Sequence, residues 1–141
     1  MNKKLTKEEL LNMSEDDYMN DAQLQFFKDL LLSQKDELTQ AIENARKSLS
    51  ESERNTDPND VASSQEIQQL YLRTVDRQSK LLRKVNESLL SIDSDNYGYC
   101  EASGEAIGLE RLLARPTATL SVQAKEIQEH HEKTRGTIKS S

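Results

Sequence analysis

Apolar positions step through residues 24–49 by threes and fours. Leu24, Phe27, Leu31, Leu38, Ala41, Ala45 and Ser48 form the line, Gln34 interrupts it, and Ile42 and Leu49 widen it. A second line keeps strict steps of four and three: Ile67, Tyr71, Thr74, Gln78, Leu81, Val85, Ser88 and Ile92. Such spacing puts one side chain per turn on a single helix face. It predicts two long helices, each burying a narrow stripe with some polar members. Asn20 followed by Gln23 reads as a capping box that starts the first. Asp57-Pro58 reads as the cap and first residue of the second, because Pro at the first helical position gives up no needed N–H. The helix breakers agree. Pro58 is the one proline in the first ninety-seven residues, and Gly98, Gly104, Gly108 and Gly136 all lie in the last third.

Two helices of about 35 residues with a short break between them favour an antiparallel pair, roughly 50 Å long at the α-helical rise. A rod of that shape can enter a pore that excludes a globule. Before it, Thr6-x-x-Glu9 caps one short helix ahead of Ser14. After it, residues 93–119 carry Gly, Tyr and Pro and read as a compact irregular region. A last helix is expected from about Ser121 to Arg135, with Val122, Ile127 and His131 on a partly apolar face, and a frayed tail after Gly136. His130 and His131 are adjacent, so they point to different faces and form no helical metal pair.

Composition narrows the picture. With 34% hydrophobic and 4% aromatic residues against 31% charged, the chain has thin material for a round core but enough for helical stripes. No apolar run approaches the ~18 residues of a membrane span. Met1-Asn2-Lys3-Lys4-Leu5-Thr6 leads into acids rather than an apolar core, so no secretory signal is expected. A single cysteine, Cys100, excludes an internal disulfide and fits a reducing cytoplasm. The net charge of −6 makes unaided binding to a DNA backbone a poor match and favours a protein partner.

Positions 100, 103, 121 and 124 have the two, seventeen and two intervening residues of a four-cysteine zinc site. They hold Cys100, Ser103, Ser121 and Ala124. A neutral hydroxyl is a poor zinc ligand and Ala has no donor, so the residues predict no bound zinc. Ile107, Leu109, Leu112, Leu113 and Leu120 must then hold the region together in place of a metal worth on the order of 10 kcal/mol to such a loop.

The chain resembles the DksA/TraR family, and its DksA branch in particular. The likeness begins at Tyr18-Met19-Asn20-Asp21-Ala22-Gln23-Leu24 and continues at Asp57-Pro58-Asn59-Asp60-Val61-Ala62. It is densest at Tyr97-Gly98-Tyr99-Cys100-Glu101, Gly104-x-x-Ile107-Gly108-Leu109 and Arg111-Leu112-x-Ala114-Arg115-Pro116-Thr117-Ala118, ending at Lys125. The resemblance covers about residues 14 to 135 and departs at the lost cysteines. It implies a mainly α fold: a long antiparallel coiled-coil hairpin, a small globular head with a degenerate zinc-finger-like region, and a C-terminal helix. The matching division is 1–19 for the N-terminal part of the head, 20–92 for the hairpin with its tip near 55–62, 93–120 for the zinc-finger-like region, and 121–141 for the last helix and tail.

The resemblance also implies a function. Such a protein is not an enzyme. It acts in the cytoplasm as a monomer, binding RNA polymerase through the secondary channel and destabilising open promoter complexes. Ribosomal RNA promoters are inhibited and some biosynthetic promoters activated, with ppGpp as co-regulator in the stringent response. Asp57, Asp60 and Ala62 correspond to the family's tip residues. Two carboxylates at the end of a rod can pair with cations or disturb mobile elements in the polymerase interior. They also suit a cap and a first-turn acid, which would hold them in place. Arg73, Arg77, Lys80, Arg83 and Lys84 make part of the second helix basic, which by itself reads as a solvated face. By resemblance, Leu81, Lys84, Arg115 and Lys125 match positions that help form a ppGpp site at the polymerase interface, with Arg77 a basic position nearby. Two other classes stay open at this point: a Gre-like transcript-cleavage factor, whose tip acids would help hold a metal, and a coiled-coil adaptor that never touches polymerase.

Overall fold

A computed structural model describes residues 4–54 and 61–139, with side chains described except at 61, 62 and 135–139. The chain is mainly α-helical: α1 (Lys7–Leu11), a 3-10 turn (Glu15–Asp17), α2 (Asp21–Arg54), α3 (Val61–Asp93), α4 (Leu109–Ala114) and α5 (Val122–Lys139). It divides into two compact units. One is Asp29–Leu89, the hairpin unit. The other gathers Met1–Lys28 with Leu90–Ser141, the terminal unit.

The helix starts follow from local chemistry. Thr6 Oγ1 accepts from Glu9 N at 3.1 Å and caps α1. Asn20 Oδ1 accepts from Gln23 N at 2.9 Å ahead of α2. The return bond of that box is displaced by one residue: Gln23 Oε1 accepts from Met19 N at 2.9 Å, while Asn20 N is already taken by Asp17 O. Met19 itself has φ 57°, so its turned backbone presents the N–H to Gln23. Ser121 Oγ accepts from Ala124 N at 3.1 Å at the start of α5. The proposed start of the second helix at Asp57-Pro58 lies outside the described residues. Gly136 does not end the last helix, which continues to Lys139. One glycine inside a helix costs only about 1 kcal/mol and need not break it.

In the hairpin unit, α2 and α3 run antiparallel. Ser52 Oγ and Ser64 Oγ are 3.4 Å apart at one end, and Ile42 and Arg46 share a groove with Ser79 and Leu82 further along. As numbers fall on α2 they rise on α3. Leu31, Leu38, Ile42, Ala45, Val85 and Ser88 are buried. Each fully buried Leu or Ile contributes about 1.5–3 kcal/mol. Register differs from the expected stripes in two places. Ile42 is the buried member of its turn and Ala41 the half-buried one. On α3, Gln68 is half-buried while Ile67 is 46% exposed.

The terminal unit is built around Leu10, Phe27 and Leu112, all fully buried, together with Ile92, Tyr97, Ile107 and Ala118. The rings of Phe27 and Tyr97 lie 5.6 Å apart, and α1 packs against α4. Gln23 is buried without cost to its polar atoms: Oε1 accepts from Met19 N and Nε2 lies 3.6 Å from Met13 Sδ. Leu109, Leu113 and Leu120 are half-buried around this core. Val122 and Ile127 are 48% and 60% exposed and His131 is exposed, so the expected apolar face of the last helix is not buried. Among the described residues, no helix is long and apolar enough to cross a membrane.

Candidate functional site

Residues 97–107 fold into a tight double-back. Tyr99 and Ala106 form an isolated antiparallel bridge. Ile107 N donates to Gly98 O at 2.8 Å, Cys100 N to Glu105 O at 2.7 Å, and Gly104 N to Cys100 O at 2.8 Å. Gly104, at φ 77°, makes the turn. Glu101 N donates to Thr119 O at 2.9 Å and ties this turn to the segment that leads into α5. The spacing read from sequence is thereby realised as a loop and a helix start facing each other.

Cys100 is buried. Its thiol is lowered to about 6, chiefly by the Ser103 hydroxyl, then by the Ser121 N–H, against opposition from burial; the Ser103 N–H and Ser121 hydroxyl add to the lowering. Ser103 and Ser121 therefore converge on the sulfur, and Ala124 N closes on Ser121 Oγ. Three of the four positions with zinc-site spacing, 100, 103 and 121, are brought together, and the fourth, 124, follows in the first turn of α5.

The tip residues fare differently. Asp57 and Asp60 lie outside the described residues, and Ala62 lies in the first turn of α3. Arg77 and Lys84 are exposed and Leu81 half-buried on α3, within the hairpin unit. Steps of four and three place these three on one stripe. Of the wider basic run, Lys80 pairs with Asp76 at 3.0 Å, both well exposed, a contact worth little. Arg115 and Lys125 belong to the terminal unit. Arg115 is the exposed C-cap of α4. Lys125 is half-buried in the first turn of α5, and its Nζ reaches Gln128 Oε1 at 3.4 Å. His130 and His131 have ring centroids 6.3 Å apart and are exposed.

Tyr18 carries no sequence signal beyond its place in the string that bears the family likeness, yet it organises the unit. Its hydroxyl donates to Gly98 O at 2.6 Å and accepts from Gly108 N at 3.0 Å. Its ring meets Tyr99 edge to face at 5.6 Å. Burial raises its phenol. Tyr97 is raised further, again first by burial, and its hydroxyl donates to Pro116 O at 2.7 Å.

A paired helical hairpin and a cysteine turn of this spacing define an α-helical hairpin protein with a zinc-finger-type segment. Residues 23–92 match the family described as DnaK suppressor protein DksA, N-terminal domain. Residues 95–130 match the prokaryotic dksA/traR C4-type zinc finger. The chain is 48% identical over 122 residues to the RNA polymerase-binding transcription factor DksA of Caulobacter vibrioides, covering 85% of this chain and 86% of that one. It is 36% identical over 119 residues to the protein of the same name from Escherichia coli K12, covering 84% and 79%. The solved structure of transcription factor DksA2 from Pseudomonas aeruginosa superposes with a TM-score of 0.85 at 46% identity, covering 91% of this chain and 99% of that one. The chain belongs to the DksA family.

This corrects the zinc expectation. Taken singly, Cys100, Ser103, Ser121 and Ala124 predict a chain without zinc. The match over the whole of residues 95–130 is to a zinc-binding class, so zinc is the group the family brings to this segment. The donor set present differs from the four thiolates of that class. Cys100 supplies one, Ser103 and Ser121 present hydroxyls that donate to it, and Ala124 supplies none. Among the described residues, no cluster of three or more His, Cys, Asp or Glu side chains could hold a metal.

Proposed function

We propose that this chain is a transcription regulator that binds RNA polymerase through the secondary channel and destabilises open promoter complexes. The observation that carries the reading is the pairing of α2 and α3, two helices of 34 and 33 residues that run antiparallel without internal breaks. A stiff pair of that kind suits a narrow channel. Relatives named as RNA polymerase-binding factors, one of them 48% identical over 122 residues, support the partner.

In this reading the division is an N-terminal segment 1–19, a hairpin 20–92, a finger-type region 93–120 and a C-terminal helix and tail 121–141. Asp57, Asp60 and Ala62 act at the polymerase interior. The carboxylates there meet cations or mobile catalytic elements. Arg77, Leu81, Lys84, Arg115 and Lys125 serve the polymerase interface at which ppGpp acts as co-regulator. Cations of both kinds suit phosphate groups, Arg as a fork and Lys as a point charge. Ribosomal RNA promoters are inhibited and some biosynthetic promoters activated in the stringent response. The protein acts as a cytoplasmic monomer, does no chemistry of its own, and with a net charge of −6 makes no sequence-specific contact with DNA.

The test is transcription in vitro from a ribosomal promoter, with the unaltered chain and with Asp57→Asn/Asp60→Asn, each with and without ppGpp. Inhibition by the unaltered chain, strengthened by ppGpp and lost in the double variant, is the expected pattern. Full inhibition by the double variant rejects the tip mechanism. Indifference to ppGpp rejects the co-regulator.

A further inference from the structure

Arg115 and Lys125 stand at the two ends of one strap of chain in the terminal unit, between the close of α4 and the first turn of α5. Residues 115–121 belong to no helix. Helical hydrogen bonding therefore does not fix where the two cations start from. Bonds from other parts of the unit fix the Lys125 end. Thr119 O accepts from Glu101 N at 2.9 Å, and Leu120 O accepts from Arg111 Nε at 2.9 Å. Ser121 then caps α5 by accepting from Ala124 N at 3.1 Å.

The Arg115 end is held differently. Pro116 has no N–H to donate, and Arg115 has left the helical region, at φ −143° and ψ 88°, as a residue before proline favours. Arg115 N donates to Arg111 O at 2.8 Å and Arg115 O accepts from Ala118 N at 3.0 Å. Both of these bonds are local. A long-range anchor comes from Tyr97, whose hydroxyl donates to Pro116 O at 2.7 Å across nineteen residues. The Tyr97 ring lies 5.6 Å from that of Phe27, in the core of the unit. At 4% exposure it cannot touch a ligand. Arg115, one residue before the anchored carbonyl, is exposed. A buried phenol thus fixes the backbone from which an exposed guanidinium departs.

We propose that Tyr97 is a positioning residue for the ppGpp response: its hydroxyl, by holding Pro116 O, sets the point from which Arg115 reaches a phosphate group. The inference rests on the reading given under Proposed function and deepens it. A guanidinium fork pairs with a phosphate only in a narrow set of geometries. Each freedom of the backbone beneath it must be given up on binding, so a backbone fixed beforehand binds more tightly. Tyr97 acts through Arg115 and not through Lys125, whose end of the strap has its own supports.

The experiment titrates ppGpp in transcription from a ribosomal promoter with the full chain. It compares the unaltered chain, Tyr97→Phe, Arg115→Ala, the two changes together, and Thr6→Ala as control. Tyr97→Phe keeps the ring and removes only the hydroxyl. Thr6→Ala removes the cap of α1 in the same unit but touches no part of the strap. Melting curves establish that each variant is folded at the assay temperature. Tyr97→Phe should raise the half-maximal ppGpp concentration about three- to tenfold, the worth of one hydrogen bond. Inhibition without ppGpp, which the tip sets, should stay within about twofold, and Thr6→Ala should leave both quantities within about twofold. Lys84 and Lys125 remain in Arg115→Ala, so a weakened response is left to measure. Adding Tyr97→Phe to it should shift the half-maximal concentration by less than about twofold, because the two residues act as a unit. An unchanged titration in Tyr97→Phe, with Arg115→Ala impaired, overturns the positioning role and leaves the ppGpp reading standing. So does an equal rise in Thr6→Ala, or a full additional rise in the double variant. A full response in Arg115→Ala overturns both the role of Arg115 and the proposal, and indifference of the unaltered chain to ppGpp overturns the reading itself along with it.

Discussion

The hydroxyl of Tyr18 donates to the carbonyl of Gly98 at 2.6 Å, across eighty residues of sequence. The same oxygen accepts from Gly108 N at 3.0 Å. One phenol thus links the segment before α2 to both arms of the turn that carries Cys100. Tyr18→Phe removes the donor and the acceptor together: Gly98 O keeps Ile107 N, but Gly108 N loses the phenol oxygen it donates to. The expected loss is about 1–3 kcal/mol, read as a lower urea midpoint with an unchanged slope.

Gly98 has φ 90°, a conformation that L residues with a Cβ rarely adopt. A Cβ there would lie 2.9 Å from Met19 Cγ and Sδ and 3.1 Å from the Tyr18 hydroxyl. Gly104 has φ 77° but open space around the missing Cβ. Gly104→Ala should therefore cost only its backbone strain, about 1–2 kcal/mol. Gly98→Ala should cost more, because it also pushes on the Tyr18 link. Equal midpoints in urea for the two variants would contradict this account.

How much of this was legible in sequence depends on the distance over which each contact acts. Caps are local, and Thr6, Asn20 and Ser121 each mark a helix start from within three residues. Long helices were legible from the placing of Gly and Pro. Register on α3 was not, because two stripes overlap at Tyr71, Gln78, Val85 and Ile92. Residue polarity favours Ile67 for the inside, yet the seam takes Gln68. The geometry of the partner helix decides that, and it does not show in one helix's own pattern. The four finger positions were legible from spacing, but the hydrogen bonds that Ser103 and Ser121 give the sulfur were not. The Tyr18–Gly98 bond left no local signal at all. Its weak trace was that both residues fall in the strings that carry the family likeness.

Gln34 interrupts the stripe of α2, and its side-chain oxygen is buried without a hydrogen-bond partner. An unpaired buried acceptor carries a desolvation penalty of about 1–3 kcal/mol. Gln34→Leu removes the acceptor and adds apolar contact in the same volume. The variant should melt at a higher temperature, by a few degrees for a gain of about 1 kcal/mol. A lower melting temperature would show that this oxygen is satisfied in solution.

Tyr97 and Tyr18 both have phenols raised above the ordinary 10.0, first by burial. Each binds its proton more tightly in the folded state than in the unfolded one. Their contribution to stability is therefore complete below about pH 10 and is lost as pH climbs from there toward the folded value. Melting temperature should fall steeply above pH 10. In Tyr97→Phe it should start lower, because Pro116 O loses its donor, but decline less over the same range. A parallel decline in both proteins would assign the alkaline loss to other groups.

The donor set at the finger positions makes the last prediction. Ser103 and Ser121 already reach the Cys100 sulfur, and Ala124, in the first turn of α5, is one hydrogen bond from Ser121. Ser103→Cys/Ser121→Cys/Ala124→Cys adds thiols at the two positions that already meet the Cys100 sulfur and at the one that follows in the first turn of α5. Three added thiolates turn a mixed donor set into the one that tetrahedral zinc prefers. The variant loses the Ser121 cap, a cost of about 1 kcal/mol, and gains a metal worth on the order of 10 kcal/mol to a loop of this kind. Zinc should therefore raise its melting temperature far more than that of the parent chain, and a chelator should reverse the rise. Binding by the variant should also be tighter than by the parent by orders of magnitude. A variant that binds zinc no better would mean that the four positions do not converge closely enough to share one ion, and that the turn at 100–104 and the start of α5 are held further apart than their hydrogen bonds indicate.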